Sequence, residues 1–354
     1  MCCKMNETHV PLAKKLRLSA FLKNFLLILA ETVLLLAIAL YGFLYVLAKG
    51  PSPTARDIFV MSVRETSAVG FIANIFFTEE EIEAIEGAKP IEEYVQTDTS
   101  LITIEKPQNT DPAADKWGLI DDDGDGIIIE EVHGAGFSGY MMVVLDPSRV
   151  IVGSVPSSYR VRGYTVAEMA EKFDAVAGIN AGGFEDAGGN GDGRTPNAMV
   201  VYKDEVYYDY KGVKDGFVGI DENHILHVGY LYSDEVKERK IRYGVSFGPV
   251  LISNGEPATL TSGVNPRTAI GQRSDGAILM LVIDGRQVIS LGATYQDMVD
   301  IFLKFGAVNA CNLDGGSSSM MWYDGDYVNN CASVIGIRPV PTTFLVLKEG
   351  GADK

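Results

Sequence analysis

The stretch from Phe25 to Ala48 constrains this chain more than any other. It is almost wholly apolar, with Glu31 and Thr32 its only clearly polar side chains. A helix of roughly 20 apolar residues crosses the hydrocarbon core of a bilayer, so the run is expected to be a transmembrane helix. Lys4, Lys14, Lys15, Arg17 and Lys23 precede it, whereas Lys49 and Arg56 are the nearby basic residues after it, beside Asp57. The positive-inside rule then puts the N-terminus in the cytoplasm and everything after the span outside. A cleaved signal peptide is the rival reading. Its apolar core is usually about 7–15 residues, and no small-x-small cleavage site follows this run before Lys49. A retained signal anchor is therefore expected. The sequence divides into a cytoplasmic basic segment (1–24), the anchor (25–48), a juxtamembrane helical stalk and linker (49–116) and a single globular domain (117–350).

The chain has 354 residues, a formal net charge of −17 and a sequence pI near 4.7. That acidity argues against a nucleic-acid partner, which needs a basic face. It leaves an anionic substrate open, because a few local arginines dominate the field of a small site. Cys2 and Cys3 fall on the cytoplasmic side. Cys311 and Cys331 fall on the exported side, where a disulfide persists; two separate thiols are the alternative.

Pro51-Ser52-Pro53 breaks the first helix, and Asp57 to Ile85 follows as a helical stretch whose second half starts at a Thr78/Glu81 capping box. Glu86 to Asp115 is polar and proline-bearing, as a linker is. From Trp117 the pattern becomes short β-type runs: Tyr140 to Leu145, Val150 to Val155 and Ala198 to Tyr202. Ile278 to Ile283 is continuously apolar, the mark of a strand buried on both faces, and Ser274-Asp275-Gly276 supplies a hairpin turn before it. Two helices are expected at Thr165 to Phe173 and Thr294 to Phe305, the second closing at Gly306. Each leads into a strand (Ala175 to Ile179, Ala307 to Ala310) that ends in an Asn-containing, Gly-rich loop. The fold class is thus mixed α/β (α+β), with a central β-sheet and flanking helices after the membrane helix. Ligands favour such strand ends.

Those loops carry the chemistry. One is Asn180-Ala181-Gly182-Gly183. The other, Asn312-Leu313-Asp314-Gly315-Gly316-Ser317-Ser318-Ser319, sets a carboxylate among glycines and hydroxyls. Asn265-Pro266-Arg267-Thr268 precedes a strand at Ala269 to Gly271, and Asp284-Gly285-Arg286 ends the Ile278 to Ile283 strand. Arg267 and Arg286 suit a phosphate or carboxylate as bidentate forks; the plainer reading is two Arg–Asp pairs that staple loops. Gly244-Val245-Ser246-Phe247-Gly248 matches the esterase elbow, but that motif needs a helix after the serine. Pro249 and a β-like run follow instead. The histidines are not spaced as zinc ligands. Asp121, Asp123 and Asp125 open like a calcium loop, with Gly126 at its sharp turn; Val132 stands where the loop's bidentate Glu belongs. The expectation is a calcium-stabilised surface loop, with a solvated acidic turn as the alternative.

Taken together these segments resemble the phosphodiester glycosidase family over roughly Met141 to Leu347. The carriers are Gly178-Ile179-Asn180-Ala181-Gly182-Gly183-Phe184, Ser246-Phe247-Gly248-Pro249, Pro266-Arg267-Thr268-Ala269-Ile270-Gly271, Asp284-Gly285-Arg286 and the Asn312 to Ser319 loop. The family's first loop usually runs Asn-Gly-Gly-Phe-Phe; here Ala181 intervenes, Glu185 follows Phe184, and an acidic insert, Gly188 to Gly193, lies beside it. The resemblance implies a hydrolase that cleaves a sugar 1-phosphodiester at the anomeric C–O bond, giving a free sugar and a phosphate monoester. Many bacterial members are exopolysaccharide-related, so a cell-envelope or exopolysaccharide glycan is the expected substrate. It implies Asp314 as base or nucleophile, with Asp284 and Glu185 behind it. Arg267 and Arg286 would hold the phosphate, Asn180 and Asn312 the sugar hydroxyls, and Ser317 and Ser318 would donate to phosphate oxygens. Gly182, Gly183, Thr268, Gly315 and Gly316 complete the expected substrate-binding set. The competing classes are a non-catalytic glycan binder on the same fold and an ordinary two-carboxylate glycoside hydrolase.

Overall fold

The computed structural model describes residues 12–66, 69–87, 96–104, 115–186, 191–209, 215–333 and 336–351, with side chains described from Phe21 onward. Lys4, Cys2, Cys3 and His9, the side chains of Lys14, Lys15 and Arg17, and the Gly188–Asn190 part of the acidic insert lie outside the described residues. The chain forms two compact units, Met1–Phe59 and Val60–Lys354.

The first unit is built on one helix, Leu12–Lys49. Its Phe21–Lys49 portion is long and apolar enough to cross a membrane, with a mean hydropathy of 2.3, and none of its most apolar window is buried inside the protein. A core helix of a soluble domain would be mostly covered. A second helix, Pro53–Arg64, opens on a proline, a residue preorganised for a first helical turn.

The expected stalk departs from expectation after that. From Val60 onward the chain clusters with the sheets rather than standing apart from them. The Val228 N–H donates to the Thr97 hydroxyl at 3.2 Å, and Arg273 grips Asp115 at 2.7 Å. The continuous helix expected over Asp57 to Ile85 is broken into Pro53–Arg64, Ala73–Phe76 and Glu79–Glu86. The Thr78/Glu81 capping box is present and starts the last piece.

The larger unit contains three sheets, all of antiparallel pairs. The first runs Ile127–Gly134, Phe137–Val144, Ile278–Ile283, Arg267–Arg273, Ala307–Leu313, Val250–Ser253, Glu256–Pro257. The second runs Asp326–Tyr327, Met321–Tyr323, Ala175–Asn180, Thr342–Leu347, Val150–Ser154. The third runs Glu205–Tyr207, Val200–Tyr202, Ile241–Ser246, Asp215–Asp221, Leu226–Leu231. The first is the central one. Along Ile278–Ile283, Ile278, Met280 and Val282 enter one core with residues of the other two sheets. Leu279, Leu281 and Ile283 enter a second core under the helix Tyr295–Lys304. Successive side chains of a strand point to opposite faces, so a continuously apolar run marks a layer covered on both sides.

Both helix–strand units form. Thr165 caps Val166–Phe173 through a box with Glu168, and Thr294 caps Tyr295–Lys304 through a box with Asp297. The turns into the following strands use left-handed backbone at Asp174 (φ 53°) and Gly306 (φ 78°). A Cβ at Gly306 would lie 2.0 Å from the Trp117 indole nitrogen, so only glycine fits there. Trp117 in turn stacks on Arg273, 3.7 Å from the guanidinium to the ring centroid. Arg273 is 1% exposed and pairs with both Asp115 and Asp275. Removing one partner of a buried ion pair typically costs about 3–5 kcal/mol. Arg273→Met should therefore destabilise the protein by about 3 kcal/mol in urea unfolding, and a change within about 0.5 kcal/mol would show that Arg273 is not the clamp between lead-in segment and sheet.

Candidate active site

The two strand ends singled out in the sequence belong to different sheets and meet. Asp314 N–H donates to the Ala181 carbonyl at 2.9 Å. The Asn180 side-chain amide donates to the Asp314 carbonyl at 2.5 Å. Its own oxygen accepts from the Thr268 hydroxyl at 2.9 Å and the Met320 N–H at 3.1 Å. Asn180 and Thr268 are fully buried, so both act as framework and neither presents a side chain to a ligand. Gly182 donates to the Thr342 hydroxyl. A Cβ on Gly183 would stand 2.9 Å from the Phe247 ring, and one on Gly315 would stand 2.8 Å from the Pro266 carbonyl. The glycines let the first loop close on Phe247 and the second on the Pro266 backbone. Asn312 is the last residue but one of its strand, further along it than expected. Its amide nitrogen donates to the Gly248 carbonyl at 2.8 Å, and its buried side-chain oxygen has no partner among the described residues.

This joint packs Asp314 among protein atoms, with part of its surface still open. Burial is the dominant effect and pushes its carboxyl up to about 7. The Ser318 hydroxyl, the Arg338 charge and the Gly315 N–H pull the other way, while the Asp186 charge adds to the rise. A carboxyl so placed gains and loses a proton near neutral pH, which is what acid–base catalysis requires.

Three arginines converge on this region, and they are not equivalent. Arg267 is buried and fully engaged. It donates to the Ala293 and Gly263 carbonyls at 3.0 and 2.6 Å and to Glu65 at 2.7 Å, and it lies over the Tyr295 ring. Arg338, which the sequence reading missed, forms a two-pronged pair with Asp186 at 2.8 and 3.0 Å. It also donates to the Ser317 hydroxyl at 2.7 Å and packs near the Phe184 ring. Arg286 differs from both. It keeps an exposed face and donates to the Thr66 hydroxyl at 3.0 Å and, at 3.4 Å, to Asn265. No carboxylate among the described residues lies within ion-pair distance of it. Its proton affinity is lowered by desolvation and then by the like charges of Arg267 and Arg338. Its backbone is left-handed, φ 58°, an uncommon conformation for a non-glycine residue that clusters at functional sites. A Cβ on Gly316 would come within 3.3 Å of its guanidinium.

The other expected acids stand elsewhere in the architecture. Asp284 is buried and accepts from the Asn329 amide, the Asn330 N–H and the Asn330 amide at 3.1, 3.0 and 3.4 Å, so it holds that loop. Glu185 is exposed; its neighbour Asp186 is the acid turned inward. Ser317 accepts from Arg338, and Ser318 binds Asp314. Ser246 ends a strand and leads through Gly248 and Pro249 into another strand, without the helix that an esterase elbow needs. Cys311 and Cys331 are not joined. Asp121, Asp123 and Asp125 do converge, each offering a carboxylate oxygen within 4.8 Å of the others, and Tyr323 donates to Asp125 at 3.0 Å.

Comparisons with known proteins bear on the family and the fold. A family model described as phosphodiester glycosidase matches residues 173–347. The chain is 33% identical over 202 residues to the SPbeta prophage-derived uncharacterized protein YomE of Bacillus subtilis, covering 53% of this chain and 30% of that protein. It is 29% identical over 185 residues to the human N-acetylglucosamine-1-phosphodiester alpha-N-acetylglucosaminidase, covering 46% of this chain and 35% of that protein. Among solved structures it resembles the zebrafish enzyme of that name, a catalytic domain auto-inhibited by its pro-peptide. The TM-score is 0.53 at 19% identity, over 63% of this chain and 82% of that one, a likeness that bears on the fold alone. The chain spans about a third of the length of the curated relatives it matches. Residues 173–347 are the part of this chain that matches the phosphodiester glycosidase family.

Proposed function

We propose that this domain hydrolyses a sugar 1-phosphodiester at the anomeric C–O bond, releasing a free sugar and a phosphate monoester. One observation carries the reading: Asp314, whose proton affinity is raised to about 7, lies in the field of an arginine cluster in which Arg286 has no carboxylate partner among the described residues. In the proposed step a water oxygen attacks the anomeric carbon. The Asp314 carboxylate accepts the water proton, and the bond from that carbon to the phosphate oxygen breaks. The departing phosphate keeps the electron pair, and Arg286 stabilises its charge. A phosphomonoester leaves readily, so a strong acid opposite the base is not required. Arg267 then serves as the residue that fixes Glu65 and the Gly263 turn, and Arg338 as the one that fixes Asp186 and Ser317. Direct attack by the Asp314 carboxylate is the variant of this scheme; an ordinary glycoside hydrolase is disfavoured, because the nearby acid, Asp186, is locked by Arg338.

We propose further that Phe21–Lys49 anchors the domain to a membrane with its N-terminus cytoplasmic and the domain outside, where an envelope or exopolysaccharide glycan is the natural substrate. The Asp121, Asp123 and Asp125 cluster fits a hard oxygen-seeking cation, and we assign it a structural calcium. Calcium should then raise the melting temperature by a few degrees over a chelator-treated sample, and identical melting in both would leave a plain acidic turn. The hydrolase reading is tested by kinetics on sugar 1-phosphodiesters. Asp314→Asn should lower kcat by about 100-fold or more, and Arg286→Ala by a similar factor. Wild-type turnover in Asp314→Asn would remove that residue from the chemistry, and saccharide binding with no turnover in the wild-type chain would favour the non-catalytic binder.

A further inference from the structure

A cavity of about 1240 Å³ opens beside the joint of the two strand ends. Its walls share the framework of the site. Gly183 follows the Ala181 carbonyl that receives the Asp314 N–H, and Gly248 and Pro249 supply the carbonyls that receive Asn312. Tyr295 lies against Arg267 on one side and the cavity on the other. Neither Asp314 nor Arg286 nor Arg338 lines it. The cavity therefore adjoins Arg267 through Tyr295 without containing Arg286, the proposed phosphate ligand, and is open to a different part of a substrate.

Its chemistry is that of a saccharide site. Phe247, Tyr230 and Tyr295 offer aromatic surface, on which the C–H face of a pyranose ring packs. Between them stand uncharged hydrogen-bonding groups. Asn197, Thr259 and Thr261 line it, with Ser246 beside them. The volume exceeds the roughly 300–1,000 Å³ typical of small-molecule pockets, enough for more than one sugar ring.

Its charge sets the class of saccharide. Among the described residues, Glu65, Glu83 and Glu86 face it against a single cation, Arg64. Arg64 already pairs with Glu79 and Glu86, and Glu65 pairs with Arg267. Glu83 is left without a cationic partner among the described residues, so the net field on this wall repels anions.

We infer that this cavity is a subsite for the saccharide chain of the phosphodiester substrate, and that it takes neutral or amine-bearing glycans in preference to anionic ones. The inference rests on the hydrolase reading for the word substrate, but its test does not need turnover. The full-length chain is titrated calorimetrically with neutral tetrasaccharides, their amine-bearing counterparts and their uronic-acid counterparts, none carrying phosphate. The neutral or amine-bearing forms should bind at least tenfold more tightly than the uronates. Thr261→Trp, at the exposed rim, should weaken that binding tenfold or more, and Asn197→Trp serves if the first variant does not fold. Asp314→Asn should bind them as the wild type does. Absence of saccharide binding, equal or tighter binding of the uronates, or full binding by a folded rim variant overturns the subsite. If phosphodiester turnover persists in those cases, the hydrolase reading survives alone; if saccharide binds with no turnover of any phosphodiester, only the hydrolase reading fails.

Discussion

The side-chain amide of Asn180 holds the active region together. It donates to the backbone of Asp314 and accepts from Thr268 and Met320. Thr268 lies in the first sheet, and Asp314 and Met320 lie in the segment between the strands Ala307–Leu313 and Met321–Tyr323. Removing such a buried amide leaves several groups unpaired at once, each at about 1–3 kcal/mol. No aliphatic side chain supplies the same bonds. The joint also explains the glycines beside it. A Cβ at Gly183 would run into the Phe247 ring, and one at Gly315 into the Pro266 carbonyl, so neither loop could settle against its neighbouring segment.

What the joint produces is a desolvated carboxyl near unneutralised positive charge. The ordinary value for Asp314 would be 3.8, and burial raises it to about 7. Because the folded value lies above the unfolded one, the associated stability is fully present below about pH 4 and is lost as pH rises through about 7. The native state thus carries an electrostatic cost at neutral pH, a pattern common where acid–base chemistry is carried out. The arginines divide the remaining tasks by their surroundings. Arg267 and Arg338 are tied to carboxylates and shape the walls, whereas Arg286 retains a charge that a phosphate can neutralise.

Much of the fold was legible because its signals are local. Capping boxes at Thr78, Thr165 and Thr294 marked helix starts, and the continuous apolar run at Ile278–Ile283 marked a strand covered on both faces. The division into three sheets was not legible, since pairing partners are set by long-range packing rather than by neighbours in sequence. The separate stalk was misjudged for the same reason: polarity suggested a linker, but the contacts of Thr97 and Asp115 are made with distant strands. At the site, the sequence indicated Asp314 and the arginines of Pro266-Arg267 and Gly285-Arg286. It gave no hint that Asn180 faces inward as framework or that Asp284 holds the Asn329–Asn330 loop. Arg338, a lone arginine before a proline, carries no local pattern, and Asp186 was hidden beside the more conspicuous Glu185.

The account turns on the state of one proton. Selective labelling of aspartate carboxyl carbons in the full-length chain, with Asp314→Asn to assign the signal, follows that proton directly by nuclear magnetic resonance across pH. The structure predicts a midpoint of about 7 for Asp314. A midpoint near the ordinary carboxyl value of 3.8 would contradict it, because Asp314 would then be a solvated anion at every working pH and the joint of the two strand ends would confer no acid–base function.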